Sequence, residues 1–153
     1  MKSFVYRLLQ TLLVLLIIAI TVHAFYQSSL QPEKSLEVSD KVGEIIEEVI
    51  PPETKPGEYI QNNLRKLAHF SEFFFLGLCT ATYTVVYFRK KGGFVSLFPF
   101  GIITALLDET VQIFSKRGAS VKDIWIDSLG YSSAAVCVLL VFLLVLFMRR
   151  VRS

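Results

Sequence analysis

The sequence predicts an all-α fold: a polytopic membrane protein, a four-transmembrane-helix bundle with an extracytoplasmic amphipathic helix between spans one and two. Three observations predict it. Hydrophobic residues make up 53% of the 153 positions and charged residues only 19%, a balance too apolar for a soluble domain of this size. The charges are gathered in short clusters that border long apolar runs. Four of those runs approach the roughly 20 residues that a helix needs to cross about 30 Å of hydrocarbon. The net charge of +3 is small, so nucleic acid is not an expected partner, whereas the lipid bilayer is. Residues 1–153 are expected to form a single domain.

The spans are predicted at about 8–26, 67–88, 94–114 and 124–148, with an outer loop at 27–66. The third span is the informative one. From Phe94 to Leu107 there are only 14 residues before the carboxylates, so a full crossing must include Asp108, Glu109 and Gln112. Their side chains then sit within about 9 Å of the helix end, at roughly 1.5 Å per residue. Pro99 falls in the first turns of this span, where a kink is expected.

Basic residues set the orientation. Lys2 and Arg7, the loop with Arg89, Lys90 and Lys91, and the tail with Arg149, Arg150 and Arg152 share one side, which carries no acidic residue. Cytoplasmic loops are the ones rich in Lys and Arg, so both termini are expected in the cytoplasm. The opposite loop holds Glu33, Glu37, Asp40, Glu44, Glu47, Glu48, Glu53 and Glu58 against five bases. The start of the chain, with "VHA" at 22–24, also fits a signal peptide. Its long apolar run and the spans that follow favour a retained anchor.

Within the outer loop, "LEVSDKVGEIIEEVI" puts Val42, Ile45, Ile46, Val49 and Ile50 on one helical face and glutamates on the other. Such a helix lies on the outer leaflet or caps the bundle. "PPETKPG" then breaks it.

The polar residues of the spans cluster by topology. Lys66, His69 and Glu72 recur every third residue where span two begins, and Asp108 and Gln112 share a face of span three. Ser120 and Asp123 fit the S-x-x-D capping pattern at the start of span four, with Asp127 a turn further on. Arg117, in "SKRGAS", follows span three directly. All of these are expected to meet just under the outer surface. Structural roles stay open for each: Asp123 as a helix cap, Lys66 as a snorkelling base, and the acids as a packing lock with Arg117, Lys66 and His69. Intramembrane carboxylates are costly and usually mark function, which favours a site at Glu72, Asp108, Glu109 and Asp127. Gly130, Ser133, Ala134 and Cys137 form a small-residue stripe suited to close helix packing.

A histidine among carboxylates at a bilayer rim suits a divalent cation, acid–base hydrolysis of a lipid-linked substrate, or recognition of a headgroup or sugar. His69-x-x-Glu72 is not the zincin spacing and no G-x-S-x-G is present, so no metal ligand and no cofactor is assigned. Catalytic candidates are His69, Glu72, Asp108 and Glu109. The binding set is Lys66, His69, Glu72, Asp108, Glu109, Gln112, Arg117, Asp123 and Asp127. Cys79 and Cys137 sit in mid-span without paired spacing and are expected to form neither a disulfide nor a metal pair.

"KLAHFSEFFFLGL" at 66–78 and "DETVQIFSKRGASVKDIWIDSLG" at 108–130 resemble the VanZ-like family of small bacterial membrane proteins. The likeness runs from about Lys66 to the end, with the first span matched by position only. It marks His69, Glu72, Asp108, Glu109, Gln112, Arg117, Asp123, Asp127 and Gly130 as signature positions. Phe73 departs from the family pattern, standing where tyrosine is common. Lys116 stands where a glycine often precedes the arginine, in a connection one residue shorter than usual. The resemblance implies a multi-pass protein of the bacterial plasma membrane, and its name-giving members lower susceptibility to teicoplanin and related glycopeptides. The leading expectation is an outward-facing polar site that engages a lipid headgroup or lipid-linked cell-wall precursor. The alternatives are a membrane-embedded hydrolase or transferase, and a structural or partner-binding protein.

Overall fold

A computed structural model describes residues 2–87, 91–116, 118 and 120–152, and for 2, 3 and 91–95 the backbone alone. Arg89, Lys90, Arg117 and Ser153 lie outside the described residues. Five helices follow in order: α1 (Lys2–Ser29), α2 (Pro32–Glu47), α3 (Lys55–Tyr87), α4 (Lys91–Phe114) and α5 (Val121–Arg152), with no strand among the described residues. Four of them, α1, α3, α4 and α5, are long and apolar enough to cross a membrane. Their outward faces carry large apolar side chains such as Leu12, Phe75, Ile103, Leu140 and Phe147. Water would penalise that surface and lipid does not.

One expectation is corrected. The second apolar helix begins at Lys55 and not near Leu67. Thr54 starts it: its hydroxyl accepts the N–H of Gly57 at 3.2 Å and its carbonyl accepts Glu58 N–H at 2.9 Å. Pro56 therefore lies in a first turn, where its missing N–H costs nothing; only the earlier part of "PPETKPG" is a break. At 33 residues α3 is roughly 50 Å long, so its first turns stand clear of a bilayer. Pro99 lies inside α4, which runs from Lys91 to Phe114.

The helix α2 covers Pro32–Glu47, shifted toward the N-terminus from its predicted range. It meets α3 at Gly43, whose carbonyl accepts Gln61 Nε2 at 3.3 Å. The apolar Val42, Ile45 and Val49 remain exposed, so this face does not cover the bundle.

The centre of the fold is the α3–α5 pair. A Cβ at Gly77 would collide with the carbonyl of Tyr131, and one at Gly130 with the carbonyl of Phe70. These two glycines thus set how closely the backbones approach. Tyr131 is fully buried, packs with Phe73, Leu76 and Ala105, and donates or accepts a 2.8 Å bond with the Thr80 hydroxyl. Gly101 of α4 leaves room for the Tyr131 ring. The predicted small-residue stripe is therefore half right. Gly130 and Ala134 are buried, but Ser133 and Cys137 are exposed, and Tyr131 and Ala135 take the inner positions.

Across the bundle, α1 runs antiparallel to α3. Tyr6 donates to the carbonyl of Val86 at 2.9 Å, and Tyr87 donates to the carbonyl of Tyr6 at 3.1 Å. At the opposite end, where α2 lies, α1 finishes, α3 begins, α4 finishes and α5 begins. The polar residues gather at this end.

Candidate functional site

Asp108 is the hub. It is fully buried in the last turns of α4, and both its carboxylate oxygens lie 2.8 Å from the Ser28 hydroxyl of α1. Gln112, one turn on and also fully buried, donates Nε2–H to Asp108 Oδ2 at 3.0 Å and to Glu109 Oε1 at 3.1 Å. Its Oε1 accepts Arg65 Nη2–H at 2.7 Å. Glu109, though about a third of a helical turn away from Asp108, is also buried, and its Oε2 accepts the backbone N–H of Ser120 at 2.8 Å.

Two further residues complete the buried group. His69 Nδ1 lies 3.9 Å from Asp108 Oδ2 and 3.6 Å from Asp127 Oδ1. Asp127 is fully buried, and neither of its oxygens has a hydrogen bond among the described residues. One nitrogen and two carboxylates, from α3, α4 and α5, lie with their ligand atoms within 4.8 Å of one another. Such a set holds a proton between acids and imidazole, or a cation. Among the described residues three carboxylates stand beside the one guanidinium of Arg65, a balance that favours positive charge in this space.

Not every predicted member joins it. Glu72 turns toward α1 and pairs with His23 at 3.2 Å. Lys66 is exposed and reaches Asn63 at 3.3 Å. Asp123 is half-buried and does not complete a capping box, because Glu109 has taken the Ser120 N–H that Asp123 would return to. Ser120 does cap α5, its hydroxyl accepting Lys122 N–H at 3.2 Å. Arg117 lies outside the described residues.

Two members escaped the sequence reading. Arg65 precedes His69 by four residues, a closer helical match than Lys66, and that spacing was the available signal. Ser28 had none: a serine at the end of an apolar run says nothing about which acid it meets. Ser115 adds a second tie from α4 to α1, donating to the Ser28 carbonyl at 2.7 Å.

The cluster opens to the surface. A pocket of about 580 Å³ between α2, the start of α3 and the α4–α5 connection is bounded by Asp40, Arg65, Lys66, His69, Lys116 and Asp123. A second, of about 300 Å³, reaches His69 from the α1 side past His23 and Glu72. His69 and Arg65 border both.

Buried acids wedged between lipid-compatible helices define the class: a multi-pass membrane protein with a polar interior confined to one end of its bundle. Within that class the chain belongs to the VanZ/LLP1 family, whose model matches residues 12–148 and so takes in every described member of the cluster. Comparison with curated proteins and with solved structures finds no match.

Proposed function

We propose that this protein binds the polar headgroup of a cell-envelope lipid or lipid-linked precursor at the outer face of a bacterial plasma membrane, and thereby lowers glycopeptide susceptibility. The carrying observation is the larger pocket. Among the described residues its lining carries the cations Arg65, Lys66 and Lys116 beside the carboxylates of Asp40 and Asp123 and the amides of Gln61, Asn62 and Asn63. Anionic phosphate and the hydroxyls or amines of a headgroup are the groups that such a mixed lining recognises. Arg65 is the best-held cation, since its guanidinium is tied to buried Gln112 and has further N–H donors to offer. The pocket sits where the apolar helices give way to α2, a position that supports a headgroup as its ligand.

The orientation rests on the charge distribution, with the acid-free basic segments in the cytoplasm. Labelling decides it. In a background without Cys79 and Cys137, an impermeant thiol reagent applied to whole cells should modify Glu53→Cys and leave Arg152→Cys untouched. The reverse pattern would place the pocket inside and remove the link to wall precursors.

The headgroup reading is tested on the purified full chain by mass spectrometry of retained lipid. Wild-type protein should carry a phosphate-containing lipid, and Arg65→Gln should lose it by roughly tenfold in affinity, about 1.4 kcal/mol. In cells, the same substitution should return teicoplanin susceptibility to that of a strain lacking the protein. Equal lipid retention by both proteins would defeat the proposal.

A further inference from the structure

We infer that His69, Asp108 and Asp127 form a binding site for a divalent cation of the Zn²⁺ or Mn²⁺ kind, which clips α3, α4 and α5 together beneath the pocket. This inference stands apart from the headgroup reading, since it concerns the buried triad, of which His69 alone reaches the pocket lining.

Geometry is the first support. The His69 Nδ1 edges to Asp127 Oδ1 and Asp108 Oδ2 are 3.6 and 3.9 Å, and all three ligand atoms lie within 4.8 Å of one another. A tetrahedral ion with bonds of about 2.0–2.1 Å needs ligand edges of roughly 3.3 Å. The two His69 edges therefore need to shorten by a few tenths of an ångström and the edge between the aspartates by about 1.5 Å at most, shifts that side-chain rotation can supply.

The second support is independent of proximity. Asp127 is fully buried and its two oxygens have no hydrogen bond among the described residues, whereas Asp108 beside it accepts from Ser28 and Gln112. An ionised carboxylate without donors is among the costliest groups to bury. A cation between His69 and Asp127 removes that cost and balances the charge of the two aspartates.

The donor set narrows the ion. Imidazole nitrogen with carboxylate oxygen suits zinc and manganese. Calcium takes six to eight oxygens, and the triad offers far fewer. The surroundings also match what a ligand needs: Ser28 and Gln112 hold Asp108 in place, the outer-shell role that tunes metal sites. With three protein ligands a tetrahedral ion keeps one open position, and His69 borders the pocket. No pair of the three ligands shares a local sequence spacing, which explains why motif reading assigned no metal.

The test uses the full chain in detergent, stripped with chelator and titrated with Zn²⁺ and Mn²⁺ alone. Elemental analysis should find one equivalent of one of these ions per chain, and its addition should raise the unfolding temperature. Co²⁺ should give a visible absorption band that Zn²⁺ abolishes. Asp127→Asn should weaken binding by tenfold or more and lose the thermal shift, while Glu44→Gln, on α2, changes neither. Sub-stoichiometric binding overturns the inference and leaves a protonated His69 between two aspartates as the account of the triad. So does binding that Asp127→Asn leaves unchanged, which would place the ion on surface acids. If Asp127→Asn does not fold, the wild-type cobalt band decides: its absence overturns the site, and its loss in His69→Gln supports it.

Discussion

The carboxylate of Glu109, near the end of α4, accepts the backbone N–H of Ser120 at 2.8 Å, one residue before α5 begins. A helix start leaves N–H groups without intrahelical partners, and here a neighbouring helix supplies the acceptor. Because α4 and α5 are joined by a short connection, this bond fixes the angle at which the chain re-enters the bundle. It also places Asp127, two turns along, against His69.

From that bond follows the first prediction. Glu109→Ala should destabilise the protein by about 1–2 kcal/mol, the usual cost of losing a helix cap. Glu109→Gln retains an acceptor oxygen and should cost less than half as much. Thermal unfolding in detergent compares them directly, and equal losses would show that charge, not the cap, is what Glu109 contributes.

The Ser28 hydroxyl ties α1 to Asp108 at the centre of the cluster. Ser28 is fully buried and donates to Asp108, and without it Gln112 is the acid's remaining hydrogen-bond donor among the described residues. Ser28→Ala should cost about 1–2 kcal/mol, the penalty for leaving a buried acceptor short of a donor. Ser28→Thr, which keeps the hydroxyl, should recover part of it. An unchanged unfolding midpoint in Ser28→Ala would mean that α1 is peripheral to the site.

Close approach of α3 and α5 supplies the third prediction. Gly77→Ala and Gly130→Ala each drive a methyl group into a backbone carbonyl, of Tyr131 and Phe70 respectively. A backbone cannot swing aside as a side chain does, so each should cost about 1–3 kcal/mol or more. Ser133→Ala, on the exposed side of α5, should change stability by about 0.5 kcal/mol or less. Comparable losses at Ser133 would return it to the packing stripe predicted from sequence.

The four apolar helices were legible because hydrocarbon imposes a length and a composition on any helix that crosses it. His69, Asp108, Glu109, Gln112 and Asp127 were legible for the converse reason, since polar groups in such helices need partners inside the protein. What periodicity misplaced is instructive. Steps of three residues drift by about 60° each around a helix, so Lys66 and Glu72 splay to either side of His69. One reaches solvent at Asn63 and the other meets His23. A step of four drifts less, which is why Arg65 is the base that arrives at Gln112. The start of α3 was hidden because Pro56 and Gly57 read as breakers, although in a first turn they are compatible with a helix.

The last prediction concerns Lys116, which takes a left-handed conformation with φ of 60° just after α4 ends. Its N–H closes the turn onto the Ile113 carbonyl at 3.1 Å. Helices commonly end through a residue in this region, and glycine is favoured there because a Cβ crowds the backbone. The strain of a side chain in this region is about 1 kcal/mol, so Lys116→Gly should raise stability by up to about that amount. The same change removes a cation from the pocket lining. Lys116→Gly should therefore unfold at higher temperature while retaining less phosphate-containing lipid, and Lys116→Asn, which tolerates the left-handed region, should follow it on both counts. A lower unfolding temperature in Lys116→Gly would mean that the lysine contributes more through its contacts than it loses through its backbone.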